Sequence, residues 1–347
     1  DRVFPYTPIF RSNATTQWKI GRTSMGVEFR NEGVKSNVLG KPMKEPQDVP
    51  FEKEGKYLKS DNRSNISYFL EHNVLLRRFT LSVGVLANYN SALNEGIHFY
   101  PGIDASYRIG DNFRLYGSWN RALRMPTFTD LYYEGKTNKG NPDLKPEESE
   151  AFEVGLKYNT YFLRAHIAGF YRKGKNMIDW VKEKPEDIWE SQNLTKVDNL
   201  GFETNLSLLP RELGNERFFI RKIELGYAFI HQDKDSEGYI SNYALDYLKH
   251  KFTAQLSHSI WKGFSATWYV RWQDRAGSYT KYENLKPAYE EPYAPYCLVD
   301  MKVNWEYQRL NLYAELNNLL NSTYYDLGNI PQPGIWFKAG FRYSFKY

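Results

Sequence analysis

The chain has 347 residues, 41% hydrophobic and 17% aromatic with 28 tyrosines, and a net charge of +5 from 46 basic and 41 acidic side chains. No uncharged apolar run approaches the ~20 residues of a membrane-spanning helix, and the basic residues are interspersed with acidic ones instead of forming the patch that a nucleic acid requires. Cys297 is the sole cysteine, which excludes an intrachain disulfide and reads as a small packing residue.

The chain opens Asp1-Arg2-Val3-Phe4, without the apolar core of a signal peptide, as a processed or internal start would. From there the sequence predicts about fifteen strands grouped as hairpins. Strands over 15–20 and 23–36 turn at Gly21-Arg22, and strands over 65–76 and 79–90 turn near Arg77-Arg78. In the second of these Phe79, Leu81, Val83, Val85, Ala87 and Tyr89 share a face. Strands over 97–109 and 113–120 turn at Gly110-Asp111-Asn112, and strands over 151–158 and 161–172 at Asn159-Thr160. Strands over 200–209 and 218–231 follow, then 251–260 and 264–272 across Trp261-Lys262-Gly263, then 298–307 and 310–316 across Gln308-Arg309.

The last strand, 335–347, alternates without error. Ile335, Phe337, Ala339, Phe341, Tyr343, Phe345 and Tyr347 fall on one face; Trp336, Lys338, Gly340, Arg342, Ser344 and Lys346 fall on the other. Successive strand side chains point to opposite faces, so one surface is apolar and the other cationic and polar. The same holds upstream, where Phe152, Val154, Leu156 and Tyr158 oppose Glu153, Gly155 and Lys157, and where Val299, Met301, Val303, Trp305 and Tyr307 oppose Asp300, Lys302, Asn304 and Glu306. The pattern describes an all-β, antiparallel wall with lipid outside and water inside. A Lys or Arg turned to lipid would cost ~2–4 kcal/mol at the midplane, which pins the register. Trp119, Trp268, Trp272 and Trp305 fit interfacial girdles.

Short and long connections alternate. The segments 37–63, 122–149, 173–193, 277–293 and 319–334 are long, and the turns between them are tight. An outer-membrane barrel has short periplasmic turns and long extracellular loops, so this parity places the C-terminus on the periplasmic side.

The segment 120–158 is the most specific. It carries Arg121, Arg124, Pro126, Phe128, Asp130, Leu131 and Tyr132-Tyr133, then Gly140-Asn141-Pro142-Asp143-Leu144-Lys145-Pro146-Glu147-Glu148-Ser149-Glu150. Asn138 lies between the two runs. Pro126, Pro142 and Pro146 remove backbone donors and keep this loop from extending the sheet. Gly140-Asn141 permits a tight turn. Glu147 and Glu150 are placed to pair with Arg121 or Arg124. Downstream stand Asn193, Gly201 and Glu203, and then Leu316-Asn317-Asn318-Leu319-Leu320-Asn321, Tyr324-Tyr325, Pro331 and Pro333-Gly334.

These motifs closely resemble the barrel of TonB-dependent outer-membrane receptors, and the resemblance covers essentially the whole of residues 1–347. It implies a plugged barrel of about twenty-two strands, of which this chain supplies the C-terminal two-thirds, with the plug, its energy-coupling segment and about seven strands lying elsewhere. It implies energised import of a scarce, bulky nutrient, through coupling to the TonB complex by an N-terminal part absent here, and no enzymatic activity and no cofactor. It also implies that the final aromatic, Tyr347, is read by the assembly machinery. The stretch holding Gly26, Asn31-Glu32-Gly33, Ser36-Asn37 and Leu39-Gly40-Lys41-Pro42 resembles receptors of Bacteroides-type bacteria. Cobalamin is the favoured cargo on that ground, with ferric siderophore or haem as the alternative, and a surface lipoprotein partner is left open. A passive porin and an outer-membrane protease or lipase are the competing classes. The sequence offers neither a catalytic constellation nor a metal motif, since its six histidines are scattered. Ligand contact is expected from loop residues at the mouth: Tyr132, Tyr133 and Asn138 in the motif loop and Tyr324 and Tyr325 in the last one. Tyrosine joins a large apolar face to a hydroxyl, which suits a bulky ligand. Arg121, Pro126, Phe128, Asp130, Gly140, Asn141, Pro142, Lys145, Pro146 and Glu147 are expected to serve loop architecture.

Overall fold

The computed structural model describes residues 3–93, 96–184, 186–214, 217–235, 238–241, 247–283, 286–328 and 330–345. Tyr347 lies outside them. The described chain is a single antiparallel meander. It begins with Val3–Tyr6 and Ile9–Trp18, both laid on Gly21–Ser36, and continues through Lys56–Leu75, Phe79–Asn90, Ile97–Ile109 and Phe113–Arg124. It goes on through Glu147–Asn159, Leu163–Lys182, Trp189–Leu208 and Ile220–Asp235. Leu248–Trp261, Phe264–Arg275, Tyr296–Tyr307, Leu310–Asn317 and Trp336–Tyr343 complete it. From Gly21–Ser36 onward each of these strands pairs with the next one named. Among the described residues the first and last strands pair on one side only, so the wall has two open edges.

The alternation sorts the faces as the sequence predicts. Val154, Ile167, Phe337 and Phe341 are 63%, 51%, 61% and 74% exposed on the outer face. Inside, Glu315 takes Lys302 Nζ at 2.7 Å and Lys338 Nζ at 3.0 Å, an ion triad across three neighbouring strands. Two aromatic belts cross the outer face. Near the short turns, Phe113 meets Tyr158 at 4.6 Å and Phe264 meets Trp305 at 6.0 Å between ring centroids. Higher up, Phe202, Phe229, His250 and Trp272 form a chain with centroids 6.0, 5.0 and 6.2 Å apart. Phe264 and Trp272 share a strand, about 26 Å apart at ~3.3 Å per residue. Strand tilt shortens that along the barrel axis, to the scale of an outer-membrane apolar band.

Several predicted boundaries move, among them the last strand, which among the described residues covers Trp336–Tyr343 and not 335–347. The first turn is at Lys19-Ile20, with Trp18 opposite Gly21, and not at Gly21-Arg22. Gly21 is small because the next strand comes close: a β-carbon there would stand 1.9 Å from the Asn73 carbonyl oxygen. The segment 173–193 is mostly paired strand and not loop, since Leu163–Lys182 and Trp189–Leu208 stay in register out to Val181 opposite Glu190. Here other chain packs on the strands, with Ser241 paired to Val181 and Asp179 buried, so Lys173, Lys175 and Asp179 no longer signal a break. Shorter hairpins, such as Ser278–Glu283 with Lys286–Pro292, stiffen the other long connections. The described apolar core is small and sits in this upper region, where Val181, Leu194 and Val197 pack with Met177 and Tyr239.

Candidate functional site

The long-loop end is organised by the motif segment. The strand Phe113–Arg124 delivers Arg124, whose guanidinium grips the Glu147 carboxylate with two bonds of 2.5 Å. Glu147 is buried and also accepts the Ile178 N–H at 2.8 Å, so one carboxylate joins three strands. Arg121 faces Glu150 at 3.3 Å and Glu148 at 3.7 Å. After Pro126 comes the short helix Phe128–Tyr132, closed by a capping box. Thr127 Oγ1 accepts the Asp130 N–H at 3.1 Å, and the Asp130 carboxylate accepts the Thr127 N–H at 2.9 Å.

The returning chain is bound to this helix. The Gly140 N–H donates to the Tyr133 carbonyl at 2.5 Å and the Asn141 N–H to the Asp130 carbonyl at 2.8 Å. A β-carbon on Gly140 would lie 2.8–2.9 Å from helix backbone atoms, so glycine is required by close approach. Pro142 then leads the chain away, exposed, and Pro146 turns it into the strand Glu147–Asn159. The Lys145 backbone is clasped by Asn193, whose amide also reaches the Asn176 carbonyl at 2.7 Å. Gly201, eight residues on, leaves room for the Phe170 ring opposite.

The five ligand candidates fall in two groups at this end. In the first, Tyr132 stacks on Phe128 with centroids 6.5 Å apart and donates its hydroxyl to Asp61 Oδ2 at 2.5 Å. Burial, and then that bond to a carboxylate, push the Tyr132 hydroxyl above its usual range. Tyr133 meets Trp180 edge-on at 6.4 Å. Asn138 accepts Thr137 Oγ1 at 2.7 Å and pairs its backbone beside Trp189. In the second group Tyr324 lies 4.6 Å from Tyr296, and Tyr325 stacks on Tyr279 at 5.2 Å. Tyr293 adds a ring 5.1 Å from Tyr279, with the Arg275 guanidinium over it at 5.5 Å. All five candidates are half-buried. Each therefore offers part of a ring or amide to the mouth while its other side braces a loop.

Sequence reasoning missed Asp61 and Arg63. Arg63 is buried, donates to the Pro126 carbonyl at 2.6 Å and to Glu32 at 2.7 Å, and sits 5.1 Å under the Phe128 ring. No spacing rule connects Arg63 with Pro126, 63 residues away; only strand order brings them together. Beneath the motif opens a recess of about 790 Å3 lined by Arg11, Arg30, Arg63, Arg121 and Arg124. Each of these arginines has a carboxylate partner: Glu28, Glu32, Glu32, Glu150 and Glu147 respectively. The recess is polar, and Glu32 is shared by Arg30 and Arg63. Among the described residues no three His, Cys, Asp or Glu side chains gather to hold a metal.

The family model described as TonB dependent receptor-like, beta-barrel matches residues 3–319. A vitamin B12 transporter of Vibrio vulnificus is 26% identical over 225 residues, covering 49% of this chain and 36% of its own length. The ferrienterobactin receptor of Escherichia coli is 22% identical over 297 residues, covering 77% of this chain and 38% of its own. Among solved structures, a ferric enterobactin receptor of Pseudomonas aeruginosa in complex with enterobactin superposes with a TM-score of 0.74 at 18% identity, over 99% of this chain and 54% of that one. The siderophore receptor PirA of Acinetobacter baumannii gives 0.70 at 17%, over 99% and 55%. The chain spans well under two thirds of each relative's length.

Proposed function

This chain belongs to the TonB-dependent receptor β-barrel family, and on that premise we propose that it is the C-terminal part of an energised outer-membrane importer whose cargo is a cobalamin-like corrinoid. The observation that carries the cargo is the pairing in the recess beneath the mouth, where each lining arginine already faces a glutamate. A polyanionic chelate would have to displace those partners, and rupture is costly where Arg63 and Glu147 are buried. A bulky corrinoid with little net charge instead needs flat apolar faces and a few hydroxyls. The half-buried tyrosines Tyr132, Tyr133, Tyr324 and Tyr325 supply them, and Asn138 adds an amide beside the first pair. A ferric siderophore or haem is the second reading, favoured by the longer alignment with the ferrienterobactin receptor.

In this proposal the long loops face outward and the short turns and C-terminus face the periplasm. Lipid covers the outer face. The inner-membrane proton gradient acts through a TonB-type partner on a part of the receptor outside residues 1–347, and a surface lipoprotein has room to dock on the loops.

The test is binding of labelled cyanocobalamin to full-length receptor, with haem and ferric siderophores as competitors. Tyr132→Ala with Tyr133→Ala, and Tyr324→Ala with Tyr325→Ala, should each weaken binding by tenfold or more, about 1.4 kcal/mol. Cobalamin that fails to bind the unmodified receptor, while a ferric chelate binds, would transfer the assignment to the second reading. Steady ohmic conductance of the full-length protein in a planar bilayer would mark it as a passive porin.

A further inference from the structure

The two ends of the wall differ in charge. Among the described residues the short turns hold Lys19, Arg77, Arg78, Arg211, Lys262 and Arg309, against Asp111 and Glu212. At the long-loop end cations find partners: Lys56 has Asp48 at 2.6 Å, Lys139 has Glu190 at 3.6 Å and Lys281 has Glu291 at 2.5 Å. Lys19, Arg77 and Arg78 have no ion pair among the described residues.

These three cations stand on two adjoining turns. Gly21 opposes Val74, and the Leu75 N–H donates to the Ile20 carbonyl at 3.0 Å, so the turn at Lys19-Ile20 lies against the one over 76–78. Three like charges gathered there raise the local potential and attract anions. An apolar element accompanies them: Ile20 and Leu76, in the same two turns, are each more than half exposed. Arg78 directly precedes Phe79, which opposes Tyr107 at the lower end of the outer face. At ~3.3 Å per residue the arginine stands just below the apolar band, at the depth of lipid headgroups. The arrangement recurs where Lys262 follows Trp261, which is also largely exposed. Cations beside apolar side chains at that depth match a phosphate with its acyl chains.

We propose that the turns at Lys19-Ile20 and 76–78 form a binding site for the headgroup of an anionic phospholipid in the leaflet at the short-turn end. Lys19, Arg77 and Arg78 take the phosphate oxygens, while Ile20 and Leu76 enter the acyl region beside it. The inference rests on the membrane-barrel reading above. It gives the receptor a lipid preference at one face of the bilayer, which the paired charges of the other end do not share. An acidic soluble protein is the competing occupant.

The test titrates full-length receptor in mild detergent with phosphatidylglycerol or phosphatidylcholine and reads the first lipid bound by native mass spectrometry. The unmodified receptor should bind phosphatidylglycerol more tightly than phosphatidylcholine, and salt should narrow the difference. Lys19→Gln, Arg77→Gln and Arg78→Gln together should weaken phosphatidylglycerol binding by about fivefold or more and leave phosphatidylcholine unchanged. Lys19→Arg with Arg77→Lys and Arg78→Lys keeps the charges and should behave as unmodified receptor. Lys53→Gln with Lys136→Gln removes charge from the long-loop end and should do the same. If the triple glutamine variant does not yield folded barrel by heat-modifiable mobility, Arg77→Gln with Arg78→Gln is read instead and should give a smaller loss. A folded glutamine variant with unmodified phosphatidylglycerol affinity overturns the proposal and leaves the barrel reading standing. Equal affinity of the unmodified receptor for the two lipids does the same. Binding of soluble polyglutamate that the glutamine changes abolish, without a lipid preference, overturns it in favour of an acidic protein. Failure of the unmodified receptor to insert into lipid vesicles overturns the membrane reading itself, and the headgroup site with it.

Discussion

Tyr116 lies directly opposite Gly155 on the neighbouring strand, with its ring folded over the glycine so that a β-carbon there would stand 2.5 Å from two ring carbons and the hydroxyl oxygen. The Tyr116 hydroxyl then reaches Glu153 at 2.8 Å and His166 Nε2 at 2.7 Å. The device recurs with Phe69 over Gly26, Phe170 over Gly201 and Tyr313 over Gly340, each an in-register cross-strand pair. A large ring fills the gap left by a glycine and marks which residue must stand opposite, so each pair resists slippage.

Gly155→Ala should therefore destabilise the barrel by about 1–3 kcal/mol, because the ring has no room to shift without losing its two hydroxyl partners. Gly169→Ala is the control, since the nearest atom to its added carbon is 3.9 Å away. Urea unfolding in lipid vesicles measures both; equal stability of the two variants would show that the Tyr116 ring moves aside freely.

Val154→Arg turns a charge outward at mid-strand, where Val154 is 63% exposed. The expected cost is about 2–4 kcal/mol in vesicles. Asn205→Arg, on the inner face beside an open recess, should fold normally. Matching losses would mean that lipid does not cover the Val154 face.

Trypsin added to intact cells should cut after Lys53 and Lys136, which are exposed at the tips of long connections. It should spare Arg77, Lys262 and Arg309 in the short turns until the outer membrane is opened. Cleavage in the reverse order inverts the orientation.

The Tyr132–Asp61 bond carries a pH signature. Burial and the neighbouring carboxylate raise the Tyr132 pKa above the ordinary value near 10. A raised pKa in the folded state means that the stabilisation is complete below pH ~10 and is lost as pH climbs through the folded value. Alkaline spectrophotometric titration of the receptor minus that of Tyr132→Phe should isolate one tyrosine ionising above the ordinary range. Asp61→Asn should bring that midpoint down. A difference curve centred at the ordinary value would remove the bond from solution.

Faces, hairpin order and the motif loop were legible in the sequence because they answer to local rules. A strand between lipid and water must alternate at period two, so Phe341 and Arg342 declare their sides by neighbourhood alone. The pairing of Glu147 with Arg124 was visible in outline because the two residues end adjacent strands. Tertiary structure decided what depends on strand neighbours far apart in sequence. Asp61 meets Tyr132 and Arg63 meets Pro126 only once the meander sets their strands side by side. Gly21 read as a turn until the backbone packed against it explained its size. The strands around 173–193 run on past the predicted ends because packing against chain remote in sequence, with Val181 and Asp179 both buried, replaces the simple alternation of apolar and polar faces. The triad of Lys302, Glu315 and Lys338 belongs to no single segment: three strands each contribute one charge, and register sets them facing one another.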